Sequence, residues 1–218
     1  MNNLPTVTKN LLIINVLCFF GGIVAKRYGI DLNDVLGLHF FLASDFKLFQ
    51  LVTYMFMHAD FQHIFFNMFA VWMFGRTLEQ VLGPKRFLTY YMVCGIGAGL
   101  VQELVTGIEY YNMASSMSPE ALEVVLREGA SALQSGMNFV DSRMAELNIV
   151  VNHSTVGASG AVYGILLAFG MLFPNTEMFV FPIPFPIKAK FFVVGYAVIE
   201  LVLGMSRTAD GVAHFAHL

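Results

Sequence analysis

The sequence predicts an all-α polytopic membrane protein: a bundle of six transmembrane helices with a helical hairpin inserted outside the membrane. Three observations predict this. Hydrophobic residues make up 57% of the chain and charged residues only 12%, whereas a soluble domain carries about 25% charged residues. The apolar content is rich in large side chains, with 22 Phe and 13 Met, and the mean hydropathy is +0.67. Apolar stretches of roughly the 20 residues needed to cross a bilayer recur along the chain.

The predicted spans are 10–26, 59–80, 86–106, 157–173, 188–206 and 210 onward. The apolar run from Leu11 to Val24, with Lys9 ahead of it, has the look of a signal sequence. No A-x-A-like cleavage site follows Val24, where Ala25-Lys26-Arg27-Tyr28 stands, so a retained span is expected. The connection at 27–57 holds Leu36, Phe40, Phe41, Leu42, Phe46 and Phe49. It is too apolar for a solvated linker and suits a segment lying partly in the bilayer surface. In the connection at 107–156, Ser118-Pro119-Glu120 reads as an N-cap, an N1 proline and an early acid. An amphipathic run through Leu133 follows, then a second helical run at about 137–150 after Gly136. Phe181-Pro182-Ile183-Pro184-Phe185-Pro186 reads as a stiff, extended turn. Only nine residues run from Asp210 to Leu218, too few to cross, so the sixth helix is expected to be incomplete and the sequence to be a fragment. The whole of 1–218 is read as one membrane domain, with 107–156 an insertion between the third and fourth spans.

With the N-terminus inside, the inner segments hold Lys9, Arg76, Lys85, Arg86, Lys188 and Lys190 against Glu79 and Glu177. The outer segments hold six basic residues against eleven acidic ones, spread over much longer connections. The concentration of basic residues in short inner segments favours this orientation. It places Ser159, His214 and His217 near the outer face.

A formal net charge of −3 gives no basis for nucleic-acid binding. Cys18 and Cys94 fall in apolar stretches and read as small buried hydrophobes. No His-Glu-x-x-His motif occurs and no carboxylate stands at ligand spacing from His63 or His217, so neither a metal nor a cofactor is expected. Asp60 and Asp210 lie at helix ends, which suits an aspartyl protease poorly. Glu103 and Glu200 read as interhelical partners rather than as a proton path.

Three polar constellations remain. Gly157-Ala158-Ser159-Gly160 opens the fourth span with a glycine-flanked serine. Serines in membrane helices usually bond a carbonyl one turn back. Here Gly160, Gly164 and Ala168 add a small-residue stripe on which another helix, the last one, is expected to pack closely. Tyr163 lies one turn deeper on nearly the same face. His63 and Asn67 are four apart and share a helix face, while His58 reads as structural at the loop end. His214 and His217 open the last stretch, and their depth does not separate them. A serine, a base and two hydrogen-bond donors are the parts that acyl transfer needs.

These constellations, in this order and helix spacing over nearly the whole chain, resemble the rhomboid family of intramembrane serine proteases. The resemblance implies that Ser159 is the nucleophile and His217 the general base, in a dyad without a carboxylate. His217 is chosen because the family's base is followed by an aliphatic residue, as Leu218 is, whereas Phe215 follows His214. Tyr163 would orient the base by stacking on it. His63, Asn67 and the Ser159 backbone N–H would form the oxyanion hole. The implied substrates are single-span proteins in the lipid bilayer of a bacterial inner membrane, cut near its outer face, with the enzyme's N-terminus cytoplasmic. The alternative is an inactive rhomboid-like protein that binds membrane helices; such relatives lose the serine or the histidine, and both are present here. The chain departs from the family at Phe49-Gln50, where Trp-Arg is frequent in the first outer loop.

Overall fold

A computed structural model describes residues 4–179 and 185–205. The last predicted span, with His214 and His217, and most of the proline-rich turn at 181–186 lie outside the described residues. The helices are α1 (Thr6–Arg27), α2 (Leu32–Leu36), α3 (Gln50–Thr53), α4 (Phe61–Ala70), α5 (Arg76–Leu82), α6 (Pro84–Ala114), α7 (Pro119–Gln134), α8 (Ser142–Asn152), α9 (Ser159–Leu172) and α10 (Ala189–Met205). A π-turn at Val71–Gly75 joins α4 to α5 with helical backbone throughout, so one rod runs from Phe61 to Leu82. Among the described residues, two helices, α1 and α6, are each long and apolar enough to cross a membrane, and α9 is a shorter apolar helix.

Local sequence explains where the helices begin. Asp60 accepts a hydrogen bond from the His63 backbone N–H and caps α4. Gly83 turns at φ +79° and Pro84 opens α6. Ser118 caps α7 ahead of Pro119. Asp141 accepts from the N–H groups of Arg143 and Met144, so α8 starts at Ser142 rather than at about 137. Helix α6 outruns its apolar stretch and continues to Ala114, because nothing in the sequence breaks it before Ser115. Between α9 and α10, Glu177–Met178 (β1) and Ile187–Lys188 (β2) pair antiparallel, a ribbon that proline content alone did not suggest.

Small residues set the close contacts. A Cβ on Gly95 would lie 2.0 Å from the Met55 methyl, and one on Gly99 would lie 3.2 Å from the Tyr54 ring. Tyr54 donates from its hydroxyl to the Gly95 carbonyl at 2.6 Å. The 27–57 connection is thereby seated on α6, with Leu38, Phe40, Tyr54 and Met55 turned inward. Phe41, Leu42, Leu48 and Phe49 of the same connection stay exposed. Gly164 of α9 is also taken up by α6: a Cβ there would meet Cys94 Sγ at 2.5 Å, and Tyr90 donates to the Gly164 carbonyl at 2.7 Å. At Gly164 the glycine stripe thus admits the third span, while the packing expected of the last stretch on it falls outside the described residues. The outward face of α1 is apolar (Leu17, Phe20, Val24), and so is a ridge of Phe61, Phe65, Phe69 and Trp72. In a water-soluble protein such a surface would be a liability.

A second, smaller core joins α7 and α8 to the first connection. Phe40 packs with Val125, Leu147 and Val151. Gly129 lets α7 approach Asn148 so closely that a Cβ would fall 2.0 Å from Asn148 Oδ1. The buried Asn148 donates to the Gly129 carbonyl at 3.2 Å and to Asn138 Oδ1 at 2.9 Å.

The N-terminus of α1 has no side-chain cap of its own, because Pro5 occupies that position. Glu79, from α5, supplies one. Its carboxylate accepts from the Val7 N–H at 2.9 Å and from the Thr8 N–H and hydroxyl, each at 2.7 Å. Both Glu79 and Thr8 are buried, so the helix end is satisfied inside the protein. Glu79→Ala should therefore cost about 2–4 kcal/mol of stability, with Glu79→Gln recovering roughly half. Thermal unfolding in detergent measures this, and an unchanged midpoint for Glu79→Ala would contradict the capping role.

Candidate active site

The serine is placed by backbone pairing between two connections. Leu38 and Thr155 form an isolated antiparallel bridge, with N–H to carbonyl distances of 2.9 and 2.8 Å. Two residues on, the Gly157 N–H donates to the Tyr54 carbonyl at 2.9 Å. The first connection is itself held by Gln50, which is almost fully buried. Gln50 Oε1 accepts from the backbone N–H groups of Lys47 at 3.0 Å and His39 at 3.4 Å. Its Nε2 donates to the carbonyls of Asp45 at 3.0 Å and Val35 at 3.2 Å. Gln50 thus anchors the loop at the position where the sequence departs from the family pattern.

Ser159 is the first residue of α9, preceded by Ala158 at the cap position. The chain reaches it through Gly157 at φ +132°, a conformation that favours glycine. Space demands glycine as well. A Cβ there would lie 2.7 Å from His63 Nε2, 2.8 Å from His63 Cε1 and 3.4 Å from Ser159 Oγ. The imidazole of His63 and the hydroxyl of Ser159 therefore meet at the same face of Gly157. The first N–H groups of a helix have no acceptor within it, which favours negative charge at this end of α9.

Helix α4 presents His63 in its first turn, fixed by the Asp60 cap. Asn67 follows one turn later, buried, and its Nδ2 donates to the His63 carbonyl at 3.2 Å. This is a bond within α4 to the His63 backbone, and it uses one of the two Asn67 amide N–H groups. His58 is also part of this cluster: its ring meets that of His63 edge-on at 5.0 Å between centroids. Burial pushes the His58 imidazole down to about 3, with the neighbouring His63 adding to the shift. His58 is consequently neutral at ordinary pH and adds no charge beside His63.

Tyr163 lies one turn below Ser159, as its spacing requires. Its ring stacks on Tyr196 of α10, with centroids 4.9 Å apart and planes at 28°. Its hydroxyl is hydrogen-bonded to that of Tyr196 and donates to Glu200 Oε1 at 2.9 Å. Glu200 is thus an interhelical partner, as the sequence suggests. Glu103 also serves structure, accepting from the Phe41 N–H at 2.8 Å. Of the predicted site, His63 and Ser159 lie at Gly157, Asn67 is bonded to the His63 carbonyl one turn along α4, and Tyr163 is one turn from Ser159 along α9; His217 lies outside the described residues.

Sequence reasoning passed over Gln50, Tyr54, Tyr196 and the demand for glycine at 157. Their roles arise from contacts between segments distant in sequence, which no local spacing reveals. Only Gln50 carried a signal, as a polar residue amid an apolar run.

Residues 45–218 match the rhomboid domain family. Rhomboid protein 1, mitochondrial, of Saccharomyces cerevisiae is 30% identical over 131 residues, covering 59% of this chain and 27% of that protein. The putative rhomboid protease YdcA of Bacillus subtilis is 29% identical over 112 residues, 51% of this chain and 56% of that protein. Rhomboid protease GlpG of Haemophilus influenzae is 26% identical over 116 residues, 52% of this chain and 59% of that protein. The matched parts therefore span less than two thirds of each relative's length. With the family match taking in most of the sequence, this chain belongs to the rhomboid family of integral membrane proteins.

Proposed function

We propose that this chain is an intramembrane serine endopeptidase that cleaves single-span membrane proteins near the outer face of a bacterial inner membrane. One observation carries the reading: the His63 imidazole and the Ser159 hydroxyl converge on Gly157 at the head of α9. Membership of a family that includes named proteases supports it. The fold proposed is a six-helix bundle with the N-terminus cytoplasmic and the α7–α8 insertion outside the membrane.

In the proposed reaction His217 takes the Ser159 hydroxyl proton as Oγ attacks the scissile carbonyl carbon. The new C–O bond places negative charge on the carbonyl oxygen, which accepts hydrogen bonds from His63, Asn67 and the Ser159 N–H. Collapse breaks the C–N bond, and the protonated His217 gives its proton to the departing amine. Water, deprotonated by His217, then attacks the acyl ester and regenerates Ser159. Tyr163 holds the base in position. The absence of a carboxylate partner for the base is inherent in the dyad reading.

Ser159→Ala should lower cleavage by about 10⁴-fold or more and abolish labelling by a fluorophosphonate probe. His217→Ala should match it, and the double variant should be no worse, because the dyad acts as a unit. His214→Ala should keep substantial activity. Proteolysis of a membrane substrate by Ser159→Ala would end the serine-protease reading.

His63→Ala and Asn67→Ala should each lower kcat by roughly 10²-fold with KM nearly unchanged, the pattern of a contact made only in the transition state. A raised KM with kcat intact would assign both residues to substrate or helix positioning instead.

A substrate helix has its carbonyls bonded internally and must be unwound before attack. Cleavage is therefore expected at small residues near the outer membrane end of a span, with helix-weakening residues just inside it. Mass spectrometry of the products locates the cut. A product ending in a soluble loop or on the cytoplasmic side would overturn the topology.

A further inference from the structure

The base-orienting role given to Tyr163 requires its ring to hold one orientation, and α10 supplies the means. Tyr196 and Glu200 are four residues apart, so they share a face of that helix. Tyr196 covers one side of the Tyr163 ring by stacking. Its hydroxyl and the Glu200 carboxylate both bond the Tyr163 hydroxyl. Stacking fixes the ring plane and the bonds fix its far end, which removes the freedom of the side-chain torsions. Glu200 is only 5% exposed. A buried carboxyl on an apolar helix is costly, and close packing of α9 on α10 does not depend on it. Gly170 already admits Val193, since a Cβ there would sit 2.7 Å from a Val193 methyl.

We propose that Glu200 and Tyr196 are positioning residues for the reaction at Ser159, acting through Tyr163. The inference rests on the serine-protease reading. Both act through the Tyr163 ring rather than at Ser159 Oγ. Each sets the wall against which the base of the dyad is held, so loss of either loosens the dyad and leaves substrate binding intact.

The test is a double-mutant cycle on the full chain in detergent or liposomes, read as kcat, KM and the rate of fluorophosphonate labelling at Ser159. Misplacement of a catalytic group by a fraction of an ångström to an ångström lowers rates by about 10–10²-fold. Glu200→Leu is therefore expected to lower kcat and the labelling rate by about 10-fold or more, with KM within about twofold. Glu200→Gln, whose amide oxygen still accepts from Tyr163, should retain most of the rate. Tyr196→Phe keeps the stacking and loses one hydroxyl, so its rate should fall between wild type and Glu200→Leu. Tyr163→Phe should be impaired like Glu200→Leu, and the two together should be no worse than Tyr163→Phe alone. A labelling rate at the wild-type level in Glu200→Leu or, should that variant not fold, in Tyr196→Phe overturns the proposal. So does additivity of Tyr163→Phe with Glu200→Leu, or a loss seen only as a lower melting midpoint. Wild-type protein that cleaves nothing and never labels at Ser159 would instead remove the protease reading, and this inference with it.

Discussion

The placement of Ser159 depends on a short stretch of backbone pairing between two connections that are far apart in sequence. The bridge of Leu38 with Thr155 and the bond from the Gly157 N–H to the Tyr54 carbonyl determine where α9 begins. Everything around this pairing supports it. Gln50 satisfies four backbone groups within the first connection. Tyr54 and Met55 key that connection into the glycines of α6. In a low-dielectric setting unpaired backbone groups are expensive, so irregular segments hold their shape only when their polar groups are paired in this way.

The insertion at 107–156 enters the same framework. Helix α8 ends at Asn152, and three residues later Thr155 is already paired with Leu38. Phe40, two residues beyond Leu38, is buried against Val125, Leu147 and Val151 of α7 and α8. The insertion thus grips the first connection from the other side of the bridge, and two cores flank the segment leading to Ser159. The close contact of Gly129 with Asn148 stiffens the pair of helices that does so. The helical insertion is here tied to the placement of the serine rather than hanging free of it.

Much of this was legible in the sequence because the signals were local. Apolar runs marked α1, α4 with α5, α6, α9 and α10 to within a few residues, except where α6 runs on past its apolar stretch. Ser118-Pro119 marked the start of α7. The i, i+4 spacing of His63 and Asn67 put them on one face, and Ser159 was placed at a helix start. The rest depended on partners distant in sequence. Glu79 looked like an inner-face charge, yet it is the cap of α1, more than seventy residues away in the chain. Gly164 also admits Cys94 of α6, a partner seventy residues away that the spacing of small residues does not name. The ribbon of β1 and β2 was hidden because two residues per strand carry no periodicity.

The buried polar groups fall into two kinds. Glu79, Gln50 and His39 are bonded mainly to backbone, where each satisfies helix ends or loop groups that burial would leave unpaired. Their role is to let irregular or terminal backbone exist inside an apolar protein. The group of Tyr163, Tyr196 and Glu200 is different, because Tyr163 bonds both partners from side chain to side chain between two regular helices. Helix association needs nothing so costly when glycine and valine already interlock. What such a network adds is a fixed orientation for one ring, and that ring stands one turn below the serine.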